Sequence, residues 1–158
     1  MKGKLISIAA LAAATAFAPA LTLAVGDSTP APAAAKADPD FEAGKTAIRS
    51  QDWNAAIGSF SKVTARDPQN ASAQNWLGYA NRKSGNLDEA FKHYSEALRL
   101  DPKHRGAHEY IGEAYLMKGE VAKAKEHLAA LDRLCFFGCE EYSDLKKAIA
   151  EYEQKAMK

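Results

Sequence analysis

NWLGYANRKSGNLDEAFKHYSEALRLDP, residues 75–102, finds its own small and bulky positions again at a fixed distance of 34 residues on either side. Gly78 stands between Gly44 and Gly112, Ala90 between Ala56 and Ala124, and Tyr94 between Phe60 and Leu128, while Pro68 and Pro102 close the first two copies. Repetition at such a period marks a chain in which one supersecondary unit stacks on copies of itself.

Two helices and a turn account for each copy. With Ala71 to Ser84 as one helix and Leu87 to Leu100 as the next, Gly78 and Ala90 face each other, and their small size lets the axes approach to about 8–10 Å. Leu77, Tyr94 and Leu98 are expected to fill the seam. Ser84-Gly85-Asn86 forms the turn, with Asn86 as N-cap and Glu89 three residues later completing a capping box. Asp101-Pro102 ends the unit, because the residue before a proline avoids the α region.

The pattern of Leu77, Gly78, Gly85, Ala90, Tyr94, Ala97 and Pro102 resembles the tetratricopeptide repeat family. The resemblance implies an all-α fold, an α-solenoid of three helix-turn-helix repeats at about 37–70, 71–104 and 105–138, with 41–134 as their common span. A C-terminal capping helix over 139–158 follows from the apolar spacing, which puts Tyr142, Leu145, Ile149 and Tyr152 on one face and Lys146, Lys147, Glu151 and Lys155 elsewhere. A solenoid needs such an end piece, since its last repeat otherwise exposes a stacking face to water.

The outer repeats depart from the central one in different places. The first keeps Gly44, Ala56, Phe60 and Pro68 but has Ser50-Gln51-Asp52 where a glycine turn is usual, leaving Asp52 to cap the helix that Trp53 and Ile57 begin. The third keeps Ile111, Gly112, Tyr115, Gly119, Ala124, Leu128 and Leu131, yet Phe136 stands where a proline is expected. Its second helix is therefore expected to run about a turn further and stop at Gly138.

Ahead of the repeats, residues 1–24 read as a secretory signal peptide: Lys2 and Lys4, the apolar run Leu5 to Ala18, then small residues around a cleavage site near Ala20 to Gly26. An uncleaved anchor is the alternative, because Leu5 to Val25 approaches the ~20 residues that span a bilayer. Residues 25–40 form a Pro/Ala-rich linker in which Pro30, Pro32 and Pro39 oppose helix interiors. The sequence thus predicts an exported, periplasmic protein with no membrane contact after cleavage.

A chain of 158 residues, 47% apolar and 26% charged, suits one soluble domain plus such extras. Its net charge is +1, and loss of Lys2 and Lys4 brings that to about −1, without the basic stripe that nucleic acid would require.

Cys135 and Cys139 are the only cysteines. In an exported protein they are expected to pair, closing a five-residue loop worth roughly 2 kcal/mol of chain entropy and fixing the angle of the cap. A soft-metal or redox site is the alternative, since two thiolates could hold copper or zinc with His127 or Met117 nearby. No second cysteine pair completes a four-ligand zinc site, so no metal and no cofactor is expected.

The motifs give no case for an enzyme. Gly44-Lys45-Thr46 has the tail of a phosphate-binding loop, but Pro39 stands where that motif needs its first glycine. His93, His104, His108 and His127 lack zinc-binding spacing and read as solvated or partly packed surface groups. Acidic pairs such as Asp88-Glu89 and Glu140-Glu141 suit helix starts.

Resemblance to the family also places a partner site, because the first helix of each pair lines the inner surface of such a solenoid. The candidates are Phe41, Lys45, Ile48 and Arg49 in the first repeat, Asn75, Trp76, Tyr79, Arg82 and Lys83 in the second, and Glu109, Tyr110, Glu113 and Leu116 in the third. Basic and acidic charge should separate along that surface, with aromatics between. Packing between repeats is the other reading of Trp76 and Tyr79. One subset of the family clamps terminal carboxylates of a peptide, but the matching positions, Phe41, Lys45, Trp76, Gly106 and Tyr110, leave a single lysine. The expected function is an adaptor or scaffold for a protein or peptide partner. A thiol or copper-handling protein using Cys135 and Cys139 is the alternative, and a structural module binding through its end faces is a third.

Overall fold

The computed structural model describes residues 38–157, which form α1 (Pro39–Arg49), α2 (Trp53–Arg66), α3 (Ala71–Lys83), α4 (Leu87–Leu100), α5 (Arg105–Met117), α6 (Val121–Leu134) and α7 (Glu140–Ala156). These are all-α, three antiparallel pairs followed by a single helix. The segments expected to be a signal peptide and a linker, apart from residues 38–40, lie outside the described residues. Among the described residues no helix is long and apolar enough to cross a membrane.

Most helix starts follow from the residue that caps them. Asp38 accepts from the N–H groups of Asp40 and Phe41 at 2.9 and 3.2 Å, and Pro39 takes the first helical position, where an N–H would be unsatisfied anyway. Asp52 accepts from Ala55 at 3.0 Å, Asn70 from Ala73 at 2.9 Å, and the imidazole of His104 from Ala107 at 3.1 Å. Asn86 departs from expectation. It stands at the N-cap of α4 without a capping bond, its amide donating instead to Ser84 Oγ at 3.2 Å, while Glu89 pairs with Lys92 at 2.5 Å. The capping box is therefore not formed.

Turns within the repeats need left-handed backbone. Gly85 and Gly119 supply it with φ of +89° and +78°, and Gln51, 34 residues before Gly85, adopts φ 58° despite its side chain. The third repeat ends earlier than its sequence suggests. Helix α6 stops at Leu134 rather than Gly138, because Cys135 caps it and the Gly138 N–H donates to Cys135 O at 2.7 Å in a separate turn. Phe136 and Phe137 in that turn are exposed and provide no buried contact that would extend the helix. A disulfide joins Cys135 to Cys139 across a Cα separation of 5.6 Å.

The core is a series of three clusters, each uniting the second helix of one pair with the first helix of the next. Ala47, Ala56, Phe60, Leu77 and Ala80 form the first. Leu77 thus fills the gap towards the preceding repeat, not the seam of its own. Ala90, Tyr94, Ile111 and Ala114 form the second, with Leu98 against them. In the third, Leu145 and Ile149 of α7 join Leu116, Ala124 and Leu131, so the cap takes the part of a fourth repeat's first helix. Close approach of α3 and α4 holds as expected: a β-carbon on Gly78 would lie 2.7 Å from the Tyr94 ring and 3.2 Å from Ala90 O.

Candidate functional site

Helices α3 and α5 touch directly, which brings together rings from two repeats. Trp76 and Tyr79, a helical turn apart, lie 5.6 Å from each other by ring centroid, and Tyr110 lies 4.9 Å from Tyr79 and 6.3 Å from Trp76. All three are half-buried. Phe60 stacks on Trp76 at 6.2 Å and Trp53 meets Tyr79 edgewise at 6.2 Å. Packing between repeats and an accessible ring surface therefore coexist in the same side chains.

Arg82, expected on the groove surface, is turned inward. It is 8% exposed, with its guanidinium 2.5 Å from Glu113 and its Nε donating to the Tyr94 hydroxyl at 3.3 Å. The same guanidinium lies 5.3 Å from the centre of Tyr79 and 5.7 Å from that of Tyr110, supporting the rings from behind. Arg82 and Glu113 thus neutralise each other. The remaining basic candidates are, in the first repeat, Lys45, 2.8 Å from Glu42 and above Phe41, and exposed Arg49, which donates to Thr46 Oγ1 at 2.8 Å, and, in the second, exposed Lys83 above Tyr79. Phe41 itself packs edgewise on Phe60 at 5.4 Å.

The other end is acidic. A pocket of about 340 Å³ opens between α3, α5 and the start of α7, with Asn75, Trp76, Glu109, Tyr110, Glu141 and Asp144 among its walls. Glu109 is 8% exposed. Burial first, and then the carboxylates of Glu113, Asp144 and Glu141, push its carboxyl up to about 8, against the opposing pull of Arg82. Asn75 is 3% exposed and its side-chain oxygen has no hydrogen-bond partner.

Two histidine contacts escaped the sequence reading. His93 Nδ1 lies 2.8 Å from Gln74 Oε1, and His108 Nδ1 lies 2.9 Å from His127 Nδ1. The second pair repeats the first 34 residues on, a relation present in the sequence. Burial, with His108 beside it, pulls His127 down to about 4. At the cap, a carboxylate oxygen of Glu141 and the sulfurs of Cys135 and Cys139 lie within 4.8 Å of one another, but the disulfide leaves neither cysteine as a thiolate. A copper-handling role would require reduction first.

Family models described as tetratricopeptide repeat match residues 41–104 and 81–149. Curated protein sequences give no match. Among solved structures, the TPR2B domain–pHsp70 complex of yeast Sti1 is similar at TM-score 0.67 and 22% identity, covering 73% of this chain and 94% of that one. The Yersinia enterocolitica type III secretion chaperone SycD in complex with a peptide of the translocator YopD is similar at TM-score 0.63 and 21% identity, covering 73% and 88%. The second TPR domain of human RPAP3 in complex with the HSP70 peptide SGPTIEEVD is similar at TM-score 0.62 and 22% identity, covering 69% and 91%. At these identities the likeness is one of fold.

Proposed function

The chain belongs to the tetratricopeptide repeat family, and from that premise we propose that it is a non-catalytic adaptor whose groove along α1, α3 and α5 binds a segment of a partner polypeptide. The observation that carries this reading is the ring cluster of Trp76, Tyr79 and Tyr110, half-buried across two repeats and held from behind by Arg82. Such fixed aromatic surfaces supply much of the binding energy of protein interfaces. Peptides bound to structures of the same fold support it further. The partner proposed here differs in charge from SGPTIEEVD, because this groove ends in the carboxylates of Glu141 and Asp144 and like charges repel.

Affinity capture from the exported fraction, with Tyr79→Ala alongside, tests the reading. Loss of the captured partner by roughly tenfold or more, with helical content intact, is expected if Tyr79 is a hot spot. Equal capture by both chains contradicts it.

We also propose that the protein is exported and acts in the periplasm. The leader pattern from Lys2 to Ala24 and the Cys135–Cys139 bridge, which suits an oxidising compartment, support this. Amino-terminal sequencing of exported protein checks it, and a retained Met1 would contradict cleavage.

A second reading has its own observation. Phe136 and Phe137 are 88% and 96% exposed on the loop that the disulfide closes, which suits a structural module that binds through the cap end. Loss of the partner in a chain carrying Phe136→Ser and Phe137→Ser, but not in Tyr79→Ala, would favour that surface.

A further inference from the structure

Glu109 is costly where it stands. Its neighbour on α5, Glu113, has Arg82 at 2.5 Å, whereas Glu109 has no ion pair among the described residues and faces Asp144 and Glu141 across the pocket. Acids at the start of α7 have a local reason, since Glu140 and Glu141 in its first turn complement the helix dipole, and Arg105 lies 3.6 Å from Glu141. Neither reason extends to a buried carboxyl on α5. A second and independent sign is Asn75, 3% exposed, which lines the same pocket and whose side-chain oxygen has no hydrogen-bond partner. Buried polar groups left in this way are few in folded proteins, and each calls for an explanation.

The chemistry of the walls selects the partner. Carboxylates and an amide oxygen are acceptors, so the ligand must donate several hydrogen bonds and carry positive charge. A divalent cation would require oxygens converging on one point, but among the described His, Cys, Asp and Glu side chains the one set of three ligand atoms within 4.8 Å of one another is that of Cys135, Cys139 and Glu141. Trp76 and Tyr110 add aromatic faces to the pocket, which suit a flat delocalised cation better than a compact one.

We propose that this pocket receives the guanidinium of an arginine side chain in the partner polypeptide, with Glu109 and Asp144 as charge partners, the Asn75 oxygen as a hydrogen-bond acceptor, and Trp76 and Tyr110 as stacking walls. Assignment of that arginine to a partner rests on the groove reading; the pocket itself does not. Glu109, raised to about 8, is protonated at neutral pH while the pocket is empty. A permanent cation beside it favours the ionised form, so binding below pH 8 releases a proton to the buffer.

Titration of the whole chain with acetyl-Gly-Arg-Gly-amide, followed by calorimetry and by the side-chain amide signals of Asn75, tests the assignment. The arginine probe should saturate those signals and release protons, while its citrulline counterpart, neutral and of similar shape, should bind roughly tenfold more weakly or less, the scale of a lost charge-assisted bond. Glu109→Gln and Asp144→Asn, which conserve shape, should each weaken the arginine probe roughly tenfold in chains that remain folded by their spectra. Equal binding of citrulline and arginine, tighter binding of the lysine tripeptide, or calcium moving the Asn75 signals instead would overturn it. An arginine probe that fails while partner capture still depends on Tyr79 removes the pocket and leaves the groove; a probe that binds while no partner depends on Tyr79 does the reverse.

Discussion

Gly112 and Leu145 meet in close contact: a β-carbon built on Gly112 would lie 2.6 Å from Leu145 Cδ2. In the earlier repeats the equivalent glycines face their own second helices, Gly44 against Phe60 and Gly78 against Tyr94. The third repeat hands that position to the cap, and Leu128, the sequence counterpart of Phe60 and Tyr94, is left half-buried. The cap is thereby keyed into the glycine that each preceding repeat reserves for itself.

Gly112→Ala should therefore overpack this contact and cost about 1–3 kcal/mol in urea unfolding. Combining it with Leu145→Ala should cost less than the sum of the two single changes, because the new methyl then occupies space that the leucine vacates. Additive losses would show that the two residues do not compete for one site.

Gln51 carries a different cost. Its φ of 58° lies in the left-handed region that Gly85 and Gly119 occupy in the other turns, where a residue with a β-carbon pays about 1–2 kcal/mol. Gln51→Gly should raise stability by about 1 kcal/mol and Gly85→Ala should lower it by a similar amount. An unchanged unfolding midpoint in Gln51→Gly would contradict the strain.

Much of this architecture is legible in the sequence because small residues recur where backbones meet, and the 34-residue register of Gly44, Gly78 and Gly112 needs no knowledge of surroundings. Contacts that cross repeats are less legible. Arg82 and Glu113 are 31 positions apart, and both look like surface charges until α5 packs on α3 and pairs them. The burial of Glu109 depends on where α7 docks, which its own apolar face specifies only as a stripe. Asn86 shows the converse, a correct capping pattern whose side chain finds Ser84 first.

Opposite pH dependences follow from Glu109 and His127. Glu109, raised from 4.5 to about 8, keeps in the folded state a proton that the unfolded chain gives up, so its contribution to stability falls as pH rises from 4.5 to 8. Glu109→Gln should match the parent near pH 4 and exceed it near pH 8.5 in thermal unfolding. His127, lowered from 6.5 to about 4, binds its proton more readily when unfolded, so its contribution is lost as pH falls from 6.5 to 4. His127→Gln should flatten that acid limb, and a limb of unchanged slope would contradict the assignment.

Reduction of the Cys135–Cys139 bridge should lower stability by roughly 2 kcal/mol, the chain-entropy value for so short a loop. Hydrogen exchange should quicken in α7 while α1 to α4 keep their protection, because the bridge joins the end of α6 to the start of α7. Uniform loss of protection along the chain would contradict a local clamp.

Photocrosslinking tests the groove most directly. A photoreactive phenylalanine derivative placed at Tyr79, on α3 beside Tyr110, should capture the partner polypeptide, and the same group at exposed Lys92 on the outer helix α4 should not. Crosslinks from position 137 or 92, with none from position 79, would contradict binding through the groove.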